Sequence, residues 1–540
     1  MSCKLIIEPD HLECVQETGE TILDGIRKMP DLHFETPCNG NGSCGKCRVK
    51  VLGGSVNEPA EGEEKLLGKE QLSLGYRLAC YAVCQKENDV ITVSIPKKAG
   101  NDIVLGDLKS GKKAADPLYP AVGDSRYGIA VDIGTTTVVC TMLDLRSGDV
   151  AAKASSINPQ TAIGSDVLSR IAYTMTNSGG LKKLQSMIIG CLNDLTEEMI
   201  QNTGIRKEEI AGYTVAANCT MLHLLLGADP QSLACVPFTP VFTSGQNRKA
   251  HEMGLTNCSE NAGLYCIPSV SAYIGADIVA GIHVTDLIHA KRNVMFIDIG
   301  TNGEIVFSKK GELWACSCAA GPAMEGMNIS SGMRAADGAI ENISVKDGKF
   351  AFRTIGGGAP QGLCGSGVLE TVAALLKSGG INTAGRVVES KEIAPYYFHE
   401  GKVRGYLIYD GNTKIRFTQA DVRQIQLAKG AILSGFQSLV EEAGISLLDL
   451  DEVIIAGQFG SYINENTILD IGILPREMKG KVRYIGNSSL EGAADVLLDK
   501  RLEADYENLA GKVHYLELGS KKGYTDLFMN CLVFPKAEGD

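Results

Sequence analysis

Residues 127–145 read YGIAVDIGTTTVVCTMLDL, and residues 295–307 read MFIDIGTNGEIVF. Each is an apolar strand, then Asp-Ile-Gly-Thr, then a second β-rich run; the identical residues are Asp132 to Thr135 and Asp298 to Thr301. Two related halves are the simplest explanation. Asp132 and Asp298 each end an apolar strand, where a carboxylate can face a cleft and hold a magnesium ion, directly or through water. Gly134 and Gly300 permit a tight turn whose amides can approach phosphate oxygens. Thr135, Thr136, Thr137, Thr301 and Asn302 add hydrogen-bonding groups. A single Asp-Gly turn is ordinary structure, whereas two with matching surroundings point to a site.

Outward from these hairpins, strands and helices alternate from residue 127 to the C-terminus, as in an α/β protein. The stretch 453–463, VIIAGQFGSYI, places Gly457 and Gly460 after an apolar strand, and 487–498, NSSLEGAADVLL, opens a helix with Gly492, Ala493 and Ala494. Residues 267–282, IPSVSAYIGADIVAGI, predict a further helix that carries Asp277. In chain order these parts resemble the actin, Hsp70 and sugar kinase superfamily: first phosphate hairpin, connecting helix, second phosphate hairpin, adenosine loop and second connecting helix. The resemblance implies ATP between two lobes of an actin-like, ribonuclease H-like fold, with Asp132, Asp298 and Asp277 at the catalytic centre. Asp277 reads equally well as an N-cap or surface carboxylate. GPAMEGM at 321–327 and GGGAPQGLCGSG at 356–367 read either as further phosphate contacts at a helix start or as tight packing. Cys316 and Cys318 read as buried thiols, because no second cysteine pair accompanies them.

The first 96 residues follow another plan. Short β-rich runs (Lys4–Glu8, Cys47–Leu52, Val90–Ile95) accompany a helical stretch near Ile22–Met29 and a short one around Glu63–Leu67, which predicts a small mixed sheet with one main helix. Within it, residues 37–47, PCNGNGSCGKC, set Cys38, Cys44 and Cys47 at C-x5-C-x2-C spacing, and Cys80 follows in RLACYAVC at 77–84. Three thiolates from one loop and a fourth from a distant segment is the ferredoxin arrangement for a [2Fe-2S] cluster. Gly40, Gly42 and Gly45 let the backbone fold tightly round an inorganic core and aim N–H groups at its sulfurs. Zinc usually takes two matched cysteine pairs, and here the fourth cysteine stands alone. Cys80 is preferred over the reserve Cys84 because Arg77-Leu-Ala-Cys80 resembles the end of the adrenodoxin-type ferredoxin pattern. Cys3 and Cys14 read as buried small hydrophobes. The loop also matches G-x-G-x-x-G and G-x4-G-K, but no apolar strand precedes it, no useful helix follows, and Cys47 stands where a phosphate loop needs Ser or Thr.

Composition bounds the rest. A chain of 540 residues with 44% apolar and 21% charged side chains is globular and has room for several domains. The boundaries read as a [2Fe-2S] domain over 1–96, a Lys-, Gly- and Pro-rich linker over 97–126, a first ATPase lobe over 127–290 and a second over 291–540. A net charge of -12 argues against nucleic acid as the main ligand. No apolar run reaches a membrane-spanning length, the start lacks a basic signal region, and 17 cysteines make a poor secreted disulfide framework, so a cytoplasmic protein is expected.

The adrenodoxin-like module, linker and actin-like ATPase in one chain resemble the reductive activators of corrinoid-dependent proteins, over nearly the whole length including LELGSKKGYTDLFMNCLVFP at 516–535. The likeness implies that one electron passes from the cluster to an inactive cob(II)alamin on a partner protein, that ATP drives the step, and that cob(I)alamin returns to methyl transfer. It further implies an upstream low-potential electron donor and a homodimer. The need for ATP is physical: a one-electron shortfall of about 200 mV costs roughly 4–5 kcal/mol. No Asp-x-His-x-x-Gly corrinoid sequence occurs, so the corrinoid belongs on the partner. Two other readings use the same parts: ATP-coupled electron delivery to a different low-potential metalloenzyme, and a small-molecule kinase with an iron-sulfur sensor.

Overall fold

The computed structural model describes residues 2–8, 12–29, 34, 40, 42, 47–95, 114–120, 125–457 and 463–536. The chain divides into two compact units, residues 1–99 with 157–188, and residues 100–156 with 189–540. No sequence signal marks the grouping of 157–188 with the N-terminal residues.

In the first unit, period-two burial builds a sheet. Its elements are β1 (Ser2–Glu8), β2 (Leu12–Glu17), α1 (Ile22–Ile26), β3 (Arg48–Gly53), α2 (Glu61–Ser73), β4 (Tyr76–Leu78) and β5 (Val90–Ser94). The strand order is β2-β1-β5-β3-β4, with β1 and β5 parallel and the other pairs antiparallel. Cys3, Leu5 and Ile7 alternate inward from β1 and meet Ile22, Leu23 and Ile26 of α1, whose N-terminus Thr21 and Asp24 close with a capping box. This is the mixed sheet that the sequence predicts, a β-grasp arrangement, but the helix expected to dominate near Ile22–Met29 is the shorter of the two. The short helix expected over Glu63–Leu67 is longer, because α2 continues past a break at Gly68.

The second unit carries the repeat. Its first strands are β6 (Tyr127–Ile133), β7 (Thr137–Asp144) and β8 (Val150–Ile157). Next in the chain are α3 (Val167–Thr176), which belongs to the first unit, and α4 (Gly180–Thr203). There follow β9 (Ile210–Ala217), α5 (Cys219–Leu226), β10 (Gln246–Lys249), β11 (Gly263–Cys266), α6 (Ala276–Val284), β12 (Asn293–Ile299), β13 (Gly303–Lys309) and β14 (Glu312–Cys318). Two small sheets come next, from β15 (Ala339–Lys346), β16 (Lys349–Thr354) and β17 (Gly362–Leu363), and, after α7 (Gly365–Lys377), from β18 (Tyr397–Glu400), β19 (Val403–Asp410) and β20 (Lys414–Thr418). The chain ends through α8 (Gln419–Glu442), β21 (Glu452–Ala456), α9 (Glu465–Asp470), β22 (Val482–Tyr484), α10 (Ser488–Leu498), α11 (Leu502–Ala510), β23 (Val513–Tyr515) and α12 (Tyr524–Cys531).

The two large sheets run β10-β11-β9-β6-β7-β8 and β22-β21-β12-β13-β14-β23. In each, the Asp-Ile-Gly-Thr strand has its antiparallel hairpin partner on one side and a parallel strand on the other. The register matches as well: Asp132 lies beside Ala216, and Asp298 beside Ala456. The helix expected from Ile267 begins only at Ala276, after nine residues of turns and extended chain. α10 comes from the segment read as the second lobe, yet it packs on β6, β7 and β9 and crosses α6. Small residues allow that crossing, since a Cβ on Gly492 would fall 2.5 Å from Ala280 Cβ.

Residues 114–120 lie in the stretch read as linker, and they are docked on the first lobe. Leu118 N donates to Leu497 O at 3.0 Å, and Lys500 N donates to Asp116 O at 2.7 Å. The Tyr119 ring lies against Gly212 and Gly263, whose missing side chains make its space, and its hydroxyl donates to Tyr213 O at 2.9 Å. No helix among the described residues is long and apolar enough to cross a membrane.

Candidate functional site

A buried ion pair sets the segment that carries Cys80. Arg77 donates to Glu63 through Nε and Nη2, each at 2.9 Å, and Leu78 N donates to the same carboxylate at 2.6 Å. The two side chains are only 7% and 0% exposed, so the bidentate geometry is held without competing water. Next to this anchor Ala79 N donates to Cys47 O at 2.7 Å, and Leu23 N donates to Ala79 O at 3.0 Å. The Cys47 and Cys80 sulfurs end 3.3 Å apart. Gly42, from the cysteine loop, is tied alongside by the Tyr81 hydroxyl, which donates to its carbonyl at 3.2 Å. Its φ is 69°, and a Cβ there would sit 2.4 Å from Tyr81 Oη, so only glycine fits. Two thiols from separate segments and a cradle that a side chain would fill suit an iron-sulfur cluster.

Cys38 and Cys44 lie outside the described residues. Cys84 is not at this site, being joined to Cys3 in a disulfide, the one such pair among the described cysteines. Cys3 is buried as expected, but as a half of that pair. Cys14 is half-buried rather than buried, and its thiol donates to Gly25 O at 3.2 Å.

In the second unit both hairpins open into one cavity of about 410 Å³. Asp132, Gly134, Thr135, Thr136, Thr137, Asp277, Asp298, Gly300, Thr301, Asn302 and Gly457 all line it, while Gly460 lies outside the described residues. The two turns close differently: Gly134 N donates to Thr137 O, three residues on, and Gly300 N donates to Asn302 O, two residues on, each at 2.9 Å. Gly457, at the end of β21, has φ of 91°, and a Cβ there would come within 3.1 Å of Asp298 Oδ1. Asp277 is not an N-cap, a position that Gly275 holds; it sits in the first turn of α6 with Oδ1 accepting from Ile278 N at 2.9 Å. Both glycine-rich stretches reach this cavity, 321–327 through Glu325 and 356–367 through Cys364, Gly365 and Ser366 at the start of α7. Cys316 and Cys318 are buried away from it, as read, and burial pushes both thiols up.

Several cavity residues were missed in the sequence: Asn218, Glu304, Glu325, Arg334, Asn487 and Ser489. Asn218 caps α5 and donates to Thr135 Oγ1 at 3.1 Å. Asn487 caps α10 and donates through Nδ2 to Asp132 Oδ2 at 2.7 Å, while Ser489 Oγ donates to Asp132 Oδ1 at 2.9 Å. Four of the six stand inside motifs quoted for other letters. In GPAMEGM, TNGEIV and NSSLEG the glycines drew the reading, and the polar residues beside them carry the site.

Burial raises Asp132, Asp277, Asp298, Glu304 and Glu325 above the usual carboxyl range. Asp298 is pushed up to about 7, by desolvation and then by the charge of Asp132. Asp277 rises through desolvation and Asp298, and Glu304 rises far through desolvation, Asp277 and Asp298. Asp132 rises less, since Asn487 and Ser489 oppose the desolvation. Such mutual repulsion is relieved when a divalent cation enters. Among the described residues no three His, Cys, Asp or Glu side chains converge as a ready metal site.

A thiol site on a β-grasp sheet and a hairpin-lined cleft between two repeated sheets define an iron-sulfur protein with an actin-like ATPase body. Residues 5–85 match the model for the 2Fe-2S iron-sulfur cluster binding domain, 127–290 that for the RACo middle region, and 292–540 that for the C-terminal domain of RACo, the ASKHA domain. A solved structure described as a reductive activator for corrinoid, iron-sulfur protein is 30% identical, with a TM-score of 0.72 over 99% of this chain and 98% of its own. The corrinoid activation enzyme RamQ of Eubacterium limosum is 29% identical over 97% of this chain and 98% of RamQ. A Methanosarcina barkeri reductase of the Co(II) methylated amine-specific corrinoid protein is 23% identical over 75% of this chain and 76% of its own length. The chain belongs to the family of reductive activators of corrinoid proteins.

Proposed function

We propose that this protein passes one electron to the cob(II)alamin of a separate corrinoid protein, with ATP driving the step, and so regenerates cob(I)alamin for methyl transfer. The observation that carries the reading is the pairing, in one chain, of a thiol site of ferredoxin type with a cavity that gathers both Asp-Ile-Gly-Thr hairpins. Family membership and the names of RamQ and the Methanosarcina reductase support the same acceptor. Cys38, Cys44, Cys47 and Cys80 hold the [2Fe-2S] cluster, which supplies one-electron transfer when bound. Ala79 N–H and the Glu63–Arg77 pair keep Cys47 and Cys80 in position, and Tyr81 fixes the loop through Gly42.

In the body, Gly134, Thr135, Thr136, Gly300, Thr301, Asn302, Gly457 and Gly460 bind the nucleotide, and Asp132, Asp298 and Asp277 hold its magnesium ion. Neutral donors orient Asp132, while the crowded acids near Asp298 gain most from the cation. Nucleotide binding energy that differs between open and closed arrangements of the lobes can then bias an uphill electron transfer. The domain limits of 1–96, 97–126, 127–290 and 291–540, a homodimer, a separate low-potential electron donor and a cytoplasmic setting belong to the same proposal. The test is direct: reduced protein with MgATP converts the cob(II)alamin spectrum of a corrinoid protein encoded nearby to that of cob(I)alamin. No conversion with any such partner defeats the reading.

A further inference from the structure

Hydrolysis of ATP requires a group to take the proton of the attacking water. The cavity presents half-buried carboxyls for the task, and most have other engagements. Asp132 accepts from Asn487 and Ser489, Asp277 accepts from its own helix at Ile278, and Glu304 accepts from Ser317 Oγ at 3.2 Å while lying across the ladder from Asp298.

Glu325 differs in its neighbours. Its Oε1 accepts from Thr301 Oγ1 at 3.2 Å, and that hydroxyl stands 3.5 Å from Thr136 Oγ1 of the other hairpin. The Cβ position of Gly300 is 3.9 Å from the same Oε1, so the carboxylate lies over the second turn with no side chain between. The hydroxyls of both hairpins thus meet beside one carboxylate, where a terminal phosphate held by the two turns would sit.

We propose that Glu325 is the general base of ATP hydrolysis, an inference that rests on the nucleotide reading of this cavity. Its carboxylate takes a proton from water as the water oxygen bonds to the terminal phosphorus; the bond from that phosphorus to the β,γ-bridging oxygen breaks, giving ADP and phosphate. Thr301 and Thr136 position the carboxylate and the water. Burial raises the Glu325 carboxyl, against the hydroxyls and the charge of Arg334, and a base of raised pKa accepts a proton more readily.

The experiment uses the full-length protein and measures MgATP affinity by equilibrium binding alongside single-turnover hydrolysis across pH. Glu325→Gln should slow hydrolysis about 100- to 1,000-fold with affinity within about threefold, so that the variant retains intact ATP where wild type yields ADP. At saturating MgATP, where the pH dependence of binding does not enter, the acid limb of the pH profile should vanish in Glu325→Gln and persist, on a slower rate, in Glu325→Asp. Hydrolysis by Glu325→Gln within threefold of wild type overturns the assignment, and so does a loss of affinity as large as the loss of rate. If Glu325→Gln does not fold, the limb in Glu325→Asp decides: unchanged rate and profile there overturn the proposal. Wild-type protein that binds no MgATP overturns the nucleotide reading itself.

Discussion

Across the ladder from Asp132 stands Val139, and across from Asp298 stands Glu304. The two hairpins share four residues and an alanine in the parallel strand, but the second turn is one residue shorter and their carboxylates live in different company. Asp132 is gripped by an amide and a hydroxyl from the start of α10. Asp298 has an acid opposite and accepts no hydrogen bond from the described residues. A repeated motif therefore does not imply repeated surroundings: one aspartate is oriented by neutral donors, and the other faces a second acid.

That contrast can be broken by the matched pair Asp132→Asn and Asp298→Asn. Both should lower magnesium-dependent ATPase activity by roughly 100-fold or more, measured in steady-state hydrolysis, and neither should change the visible absorbance of the cluster. Their stabilities should part. Asp132→Asn turns an acceptor towards the Asn487 amide into a donor, and should cost about 1–3 kcal/mol in denaturant unfolding. Asp298→Asn removes a buried charge from among acids and should raise stability above neutral pH by a similar amount. Equal signs would show that the two surroundings do not matter.

A smaller effect should follow from Glu304→Val, which gives the second hairpin the cross-strand residue of the first. It should leave the apparent pKa of Asp298 raised, because desolvation and the charge of Asp132 set that shift, and add about 1 kcal/mol of stability in the nucleotide-free protein, while weakening MgATP binding. The pH dependence sharpens the same point. Asp298 has a folded value of about 7 against an ordinary value of 3.8, so folding takes up a proton between those limits. Its contribution to stability is present below about pH 4 and lost as pH rises through 7. MgATP needs the ionised form, so its affinity should rise over pH 6 to 8 with proton release, measurable by calorimetry in buffers of different ionisation heat. Smallest of all, Ser489→Ala should cost about 1 kcal/mol, since Asn487 still holds Asp132.

Much of this architecture could be read from letters alone, because the repeat and the cysteine spacing are local patterns. An apolar strand ending in Asp-Ile-Gly-Thr predicts a hairpin wherever it lies, and C-x5-C-x2-C predicts a loop of thiols. What escaped was anything that depends on distant partners. Asn487 and Ser489 look like an ordinary helix start until α10 is seen lying on β6 and β9. Glu63 and Arg77 look like surface charges until they face each other in the core. Tyr119 sat in a stretch whose lysines and glycines argued for a linker, and only Gly212 and Gly263, far along the chain, reveal its slot. Asp277 was half legible: a helix carrying it was expected, but its start at Ala276 rather than Ile267 and its nearness to Asp298 were not.

The grip on Asp132 reaches it from 355 residues downstream. At a synthesis rate of about 5–20 residues per second, the first strand of the body leaves the ribosome roughly 20–70 s before the residues that hold its aspartate. Through that interval β6 and β9 lack the helix that covers them, while the cysteine-bearing sheet is already whole. Chains cut short before residue 487 should keep a foldable iron-binding head on a body that stays exposed, and quality control can tell the two apart.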